Sequence, residues 1–391
     1  MPSSTFGVRE VQIEGFRSVR SVRLSPGPVC ALLGGPSVGK SNVLEAIWLL
    51  LQQGRPAPPD VGRGAVRLHA TLAGEREVEL ELKRSGAPRT AGPALPALFF
   101  PASLRSRRLV ATPIAAPAAV EVAARHFRVA AEPSSAAPAA ALLAGFEELC
   151  RTGHGGLVVL VEEPELFLRP QAQRYLYRLL RRFAANGNQV LYSTHEPAFL
   201  NVGRLDELAF VGHTSQQGTI VDQPRALDAD ESFRAISEVD AESGELFLAN
   251  AVLLVEGRTE KLSLPFVFAA LGHDLDREGI TVVDCGGKPN IPLFIRICHA
   301  VRIPCVALHD RDAAPGRQPS RAERALNLEI AALAGHRSTF ELAPDFEGVA
   351  GLRGHRHKPA HAFERFAQIG RDQMPQTLRD TVERVIALGR G

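Results

Sequence analysis

Two sets of residues in this 391-residue chain have the types and spacing to act on phosphates. The first is Gly34-Gly35-Pro36-Ser37-Val38-Gly39-Lys40-Ser41-Asn42, which fits G-x-x-x-x-G-K-[ST] without a mismatch. Glycines in such a loop let backbone N–H groups close on a phosphate, and the helix start behind them adds positive potential. Lys40 would reach the β- and γ-phosphates of a nucleotide, and the Ser41 hydroxyl would ligate Mg²⁺. Glu162 and Glu163 end the apolar run 157–161 and suit the same chemistry. Glu162 would hold Mg²⁺, and Glu163 would polarise the water that attacks the γ-phosphate. His195, at the tip of the run 189–193, would bond that phosphate or that water.

The second set is acidic. Glu256, Glu260, Asp310 and Asp312 follow apolar runs at 251–255 and 304–308, with Glu347 further on. Four carboxylates at one sheet edge repel one another unless something positive sits among them. Oxygen ligands without His or Cys favour Mg²⁺ or Mn²⁺ over zinc. Such ions activate water and neutralise the charge of an in-line displacement at phosphorus. Lys358 closes the basic run 354–358. It would stabilise the developing charge, or the run would hold a nucleic-acid backbone.

These residues need strands that deliver them. Residues 29–33, 157–161, 189–193, 251–255, 281–283 and 304–308 are short apolar runs, as expected of parallel strands buried on both faces. Helical spacing follows at 42–51, 170–185, 260–271 and 291–301, and precedes the acidic pair at 138–151. Residues 8–13 and 20–24 read as two further strands. Residues 65–72 and 78–82 alternate around Gly74 and predict an antiparallel hairpin with one wet face. Residues 206–211 and 219–222 predict a second hairpin. Pro- and Gly-rich stretches at 55–60 and 86–97 read as loops. Residues 98–133 show little pattern beyond a helical spacing at 117–130. Alternation of strand and helix makes the fold class α/β, with acids collected at strand C-termini. The expected domains are 1–222 and 246–391, joined by a polar, acidic linker at 223–245.

Composition narrows the class. The chain is 45% hydrophobic and 23% charged, as in globular proteins, with a formal net charge of +2. No apolar run reaches a membrane-spanning length, and residues 1–10 lack a signal-peptide core, so a cytoplasmic protein is expected. The five cysteines form no C-x-x-C pair and read as reduced core residues. Five lysines stand against 40 arginines; Lys40 and Lys358 fall in the motifs above, and Lys288 ends Asp284-Cys285-Gly286-Gly287-Lys288, which follows the run 281–283. A compact ammonium is not interchangeable with a guanidinium.

With these residues in hand, the chain resembles the OLD (overcoming lysogenization defect) family of nucleases, in which an ABC-type P-loop ATPase domain is fused to a Rossmann-like Toprim domain. The matching pieces are 15–18, 34–42, 162–170, 193–195, 255–257, Glu260, 310–312, 344–347 and Lys358, in the family's order. The resemblance implies ATP binding in the first half and metal-dependent DNA cleavage in the second. Glu256, Glu260, Asp310, Asp312 and Glu347 would hold two metals, assisted by Lys358. Expected partners are DNA (RNA left open), a second copy of the chain in a homo-oligomer such as a dimer, and no membrane. Two features depart from ABC-type ATPases: Glu162 stands where Asp is usual, and Ser134-Ser135-Ala136 is the nearest remnant of a signature motif. Residues 84–156 are too short for the helical dimerisation insert of many relatives, so none is expected. The alternative is a regulatory ATPase of a defence complex, whose Toprim half binds nucleic acid or a partner protein without cutting. All three tyrosines (175, 177, 192) lie in the first half, which argues against topoisomerase chemistry in the second.

Overall fold

The computed structural model describes residues 6–53, 64–83, 87–102, 137–153, 155–224, 226–228, 230–231, 243–311, 319–352, 354 and 357–390. Asp312, the 134–136 remnant, the helix expected over 117–130, the loop at 55–60 and most of the expected linker lie outside them. The chain divides into two compact units, residues 1–201 with 206–224 and residues 202–205 with 225–391.

The strands of unit 1 are β1 (Val8–Phe16), β2 (Val19–Leu24), β3 (Val29–Leu33), β4 (Val66–Leu72), β5 (Glu77–Leu82), β6 (Arg89–Ala91), β7 (Ala97–Phe100), β8 (Val158–Glu162), β9 (Gln189–Thr194), β10 (Leu208–Thr214) and β11 (Gly218–Asp222). They form one sheet in the order β6-β5-β4-β1-β2-β11-β10-β3-β9-β8-β7. From β10 to β7 every pairing is parallel. The other half is antiparallel. Sequence pattern follows this division. All five residues of β3 are buried, whereas β4 and β5 alternate between buried and wetter positions. Helix α1 (Lys40–Gln52) turns Val43, Ile47, Leu50 and Leu51 inward. Helices α2 (Ala137–Thr152) and α3 (Pro170–Ala185) flank β8 in the chain. Each such buried side chain contributes roughly 1.5–3 kcal/mol, so the strand tips stand on a firm base.

The sequence reading treats 86–97 as loop, but β6 and the start of β7 lie there. β6 is three exposed residues long, and β7 gains its partner only when β8 arrives from far along the chain. Neither carries enough local pattern to announce itself.

Unit 2 has four strands, β12 (Ala251–Val255), β13 (Ile280–Asp284), β14 (Cys305–Asp310) and β15 (Thr339–Leu342), in the order β13-β12-β14-β15. All pairings are parallel. The helices used below are α4 (Arg258–Ala270), α5 (Ile291–Ala300), α6 (Arg321–Ala334), α7 (Phe346–Val349), α8 (Lys358–Phe366) and α9 (Gln376–Gly389). All five cysteines are buried and free. Among the described residues no helix is long and apolar enough to cross a membrane.

Candidate functional sites

In unit 1 the loop between β3 and α1 depends on its glycines. Gly34 has φ 154, and a Cβ there would lie 2.1 Å from the Val211 carbonyl oxygen. Gly39 has φ 110, and its Cβ would lie 2.2 Å from Thr219 Oγ1. Ser37, between them, is also left-handed at φ 61. Lys40 Nζ donates to the carbonyls of Gly34 and Gly35, both at 2.8 Å. Burial holds this lysine's pKa below its usual value, while Glu163 and Glu165 push it back up.

The loop is braced from a distance. Thr219 Oγ1 donates to the Val38 carbonyl at 2.9 Å, so Ser18 Oγ donates across the 2.7 Å that separates it from Thr219. Asn42 Nδ2 in turn donates to Ser18 Oγ at 2.6 Å. A directed relay Asn42→Ser18→Thr219→Val38 therefore ties the β1–β2 turn and β11 to the loop. Arg17 donates to Asn42 Oδ1 at 3.2 Å and pairs with Glu45. Thr219 has no sequence signature, because its role comes from a pairing between segments far apart in the chain.

Strand β9 lies between β3 and β8, which puts its tip between the loop and the two glutamates. Glu162 Oε2 accepts the Ala102 N–H at 2.8 Å, and its Oε1 is buried without a partner. Burial raises the Glu162 pKa, opposed by the Ala102 N–H and the Ser41 hydroxyl. A bare buried carboxylate oxygen beside a serine hydroxyl is a donor set that suits a hard divalent cation.

Glu163 takes φ 44, with its N–H on the Ser193 carbonyl at 2.9 Å. Its Oε1 stands 3.6 Å from His195 Nε2. Burial first, then Lys40, lowers the His195 pKa, and Glu163 opposes them. Glu165 fixes the β9 tip: its Oε1 accepts the Thr194 hydroxyl at 3.0 Å and the His195 N–H at 2.8 Å. Its other oxygen is buried without a partner, and burial raises its pKa. The sequence reading gives Glu165 no role of its own.

In unit 2 the parallel register does the gathering. Val255 lies opposite Asp284 and Leu308, and Asp310 lies opposite Leu342. Glu256 therefore leaves the sheet beside the ends of β13 and β14. It accepts the Asp310 N–H at 2.6 Å. Asp310 Oδ1 accepts the Phe346 N–H at 2.8 Å, at the start of α7, next to Glu347. Glu260 sits in the first turn of α4, only 9% exposed. Burial, then Glu256, Glu347 and Asp284, push its pKa up to about 7. Asp310 is pushed up to about 8 by burial and Glu256, with Glu260 and Glu347 adding and the Phe346 N–H opposing.

Four of the expected acids, Glu256, Glu260, Asp310 and Glu347, thus share one electrostatic neighbourhood. Asp284 joins them unassigned, although its place at the end of β13 is the same signal that marks Asp310. Lys358 begins α8, and its side chain lies outside what is described, as does Asp312. Crowded carboxylates that offer only oxygen donors suit Mg²⁺ or Mn²⁺. They stand wider apart than His69, Glu77 and Glu79 on the β4–β5 hairpin, the one group of three among the described residues whose ligand atoms all lie within 4.8 Å.

Residues 247–312 match the family described as "Overcoming lysogenization defect protein-like, TOPRIM domain". Residues 139–201 match "AAA domain, putative AbiEii toxin, Type IV TA system". The chain is 34% identical over 260 residues to the OLD nuclease of Thermus scotoductus, covering 61% of this chain and 49% of that protein. It is 28% identical over 162 residues to the Old nuclease of Escherichia phage P2, covering 40% of this chain and 28% of that protein. The chain thus spans about half the length of the first relative and less of the second. Among solved structures, the C-terminal region of the Burkholderia pseudomallei OLD protein matches 36% of this chain and 99% of that one, at 18% identity and a TM-score of 0.31.

Proposed function

We infer, from a chain that joins an ABC-type ATPase domain to an OLD-like Toprim domain, an ATP-hydrolysing nuclease that cleaves DNA phosphodiester bonds by a two-metal mechanism. Its setting would be phage defence or DNA processing. The observation that carries this reading is the acidic edge of unit 2, where burial and like charge push Glu260 to about 7 and Asp310 to about 8. Groups in that state hold protons for want of a better cation. Divalent ions bound there would supply an activated water and offset the charge of the pentavalent phosphorus. Glu256, Glu260, Asp310 and Glu347 would hold them, together with Asp312. Asp310 is oriented for this by the Phe346 N–H on one oxygen, and Glu256 by the Asp310 N–H. Lys358 would meet the scissile phosphate.

In unit 1, residues 34–42 would wrap the nucleotide phosphates. Lys40 would exchange the Gly34 and Gly35 carbonyls for phosphate oxygens, and Ser41 and Glu162 would hold Mg²⁺. Glu163 would take the proton of the attacking water. His195, whose lowered pKa keeps it neutral at pH 7, would orient that water or the γ-phosphate.

The test is plasmid cleavage with Mn²⁺ or Mg²⁺ by the wild type and Asp310→Ala. Cleavage by the wild type that falls by at least 10³-fold in the variant is expected, and equal cleavage by both would assign the activity to a contaminant. A second reading, a regulatory ATPase that binds nucleic acid without cutting, rests on the wide spacing of the described acids. It predicts DNA binding without cleavage under every metal.

A further inference from the structure

Lys288 is one of only five lysines, and it is 6% exposed. It follows Gly286 (φ 69) and Gly287 (φ 125) in the loop after β13. That loop is fastened in three places. Gly286 N–H donates to Asp284 Oδ1 at 2.8 Å, Gly287 N–H to the Glu256 carbonyl at 2.7 Å, and Asn290 Nδ2 to the Cys285 carbonyl at 3.0 Å. Held this way, the side chain crosses the end of β12 and reaches β14, where Nζ donates to the Asp310 carbonyl. One residue from β13 thereby spans the three strand tips that carry Asp284, Glu256 and Asp310. A buried cation needs a compensating charge, and these acids are the charge at hand.

We propose that Lys288 is the resident counter-ion of the acidic edge and a positioning residue for Asp310, so that the lysine and a bound divalent ion relieve the same repulsion. This rests on the reading of unit 2 as a metal site. The two cations are then thermodynamically coupled. Removing the lysine destabilises the metal-free protein, tightens the ion, and matters less once the ion is bound.

The experiment uses the full chain, stripped of metal, as wild type, Lys288→Met, Lys288→Gln and Lys288→Arg. Mn²⁺ is titrated calorimetrically, and thermal unfolding is followed with and without it. Lys288→Met and Lys288→Gln are expected to bind Mn²⁺ about tenfold more tightly, the scale of one unit charge acting over several ångströms in a half-wet site. Their Tm is expected to lie several degrees below wild type without Mn²⁺ and to recover most of that with it. Lys288→Arg keeps the charge and stays within about threefold of wild type in affinity. Glutamine retains a donor for the Asp310 carbonyl, so a purely structural role would make Lys288→Gln resemble wild type and would overturn the proposal. So would a Tm deficit that is the same with and without Mn²⁺. If Lys288→Met does not fold, Lys288→Gln carries the comparison. Failure of the wild type to bind Mn²⁺ at all would instead remove the reading of unit 2 on which the proposal stands.

Discussion

Both units hold charge at the ends of buried parallel strands, and they compensate it differently. In unit 1 the charges are of both signs and are met by neutral groups. Lys40 rests on two carbonyls of its own loop, and Glu165 holds a hydroxyl and a backbone N–H. In unit 2 the carboxylates crowd one another, and two of them stay protonated into the neutral range. Hydrogen bonds can preassemble a site without its ligand, whereas crowded like charges also need cations, whether protons, lysine or metal. Unit 1 should therefore tolerate the absence of its ligand far better than unit 2 does.

The largest effects should come from removing the chemistry of one unit and reading the other. Glu163→Gln should reduce ATP hydrolysis by 10²–10³-fold while ATP still binds, since the lost group acts as a base. Asp310→Asn should reduce cleavage at least as much and leave ATP hydrolysis within twofold of wild type. Both activities, measured on both variants, decide whether the units work separately. Loss of cleavage in Glu163→Gln would mean that nucleotide turnover drives the cut, and the contrast would have to be redrawn as a cycle.

Next in size is a test of how rigidly unit 1 is built. Gly39→Ala places a methyl 2.2 Å from Thr219 Oγ1 at a φ of 110, where neither backbone nor brace can yield cheaply. A loss of about 2–3 kcal/mol in the stability of unit 1 is expected, together with loss of ATP binding. Thr219→Val should cost less, about 1–2 kcal/mol, because it breaks the relay without inserting atoms. Chemical denaturation with a nucleotide-binding readout measures both.

The pH response should separate the units again. Glu260 and Asp310 have folded-state pKa values of about 7 and 8, above the ordinary 4.5 of a glutamate and 3.8 of an aspartate. The folded protein therefore binds more protons than the unfolded chain between about pH 4 and 8. Stability falls as pH rises through that window. Metal-free protein should lose on the order of 5 °C in the Tm of unit 2 between pH 5.5 and 8.5, and saturating Mn²⁺ should flatten the slope. A slope that steepens with Mn²⁺ would place the ion elsewhere.

How far the sequence announces all this follows the same division. Parallel strands buried on both faces read as unbroken apolar runs, so β3, β8, β9, β12 and β14 are legible, as are the acids at their ends. Long-range bracing is not. Thr219 acquires meaning only against Ser18 and Val38, and Lys288 only because its loop is pinned so that it crosses β12. Asp284 is legible in principle, as a strand-end acid in register with Val255, yet without a family motif around it nothing separates it from a helix cap. β15 takes shape only beside β14, and α8 only against α4.

The smallest effect gives the sharpest test of the contrast. Glu165 belongs to unit 1 but, like Glu260 and Asp310, has a pKa raised by burial, and one of its oxygens is buried without a partner. If unit 1 is held by hydrogen bonds, Glu165→Gln should be nearly silent, because the amide oxygen still accepts from Thr194 and His195. A change within about 1 kcal/mol in stability and within threefold in ATP hydrolysis is then expected. Glu165→Ala would leave the Thr194 hydroxyl and the His195 N–H without an acceptor. It should cost about 2 kcal/mol and displace His195 from Glu163, with a matching loss of hydrolysis. If glutamine proves as damaging as alanine, the charge of Glu165 matters more than its bonds. Lys40, which feels that charge, would then depend on it much as Lys288 depends on the acids of unit 2.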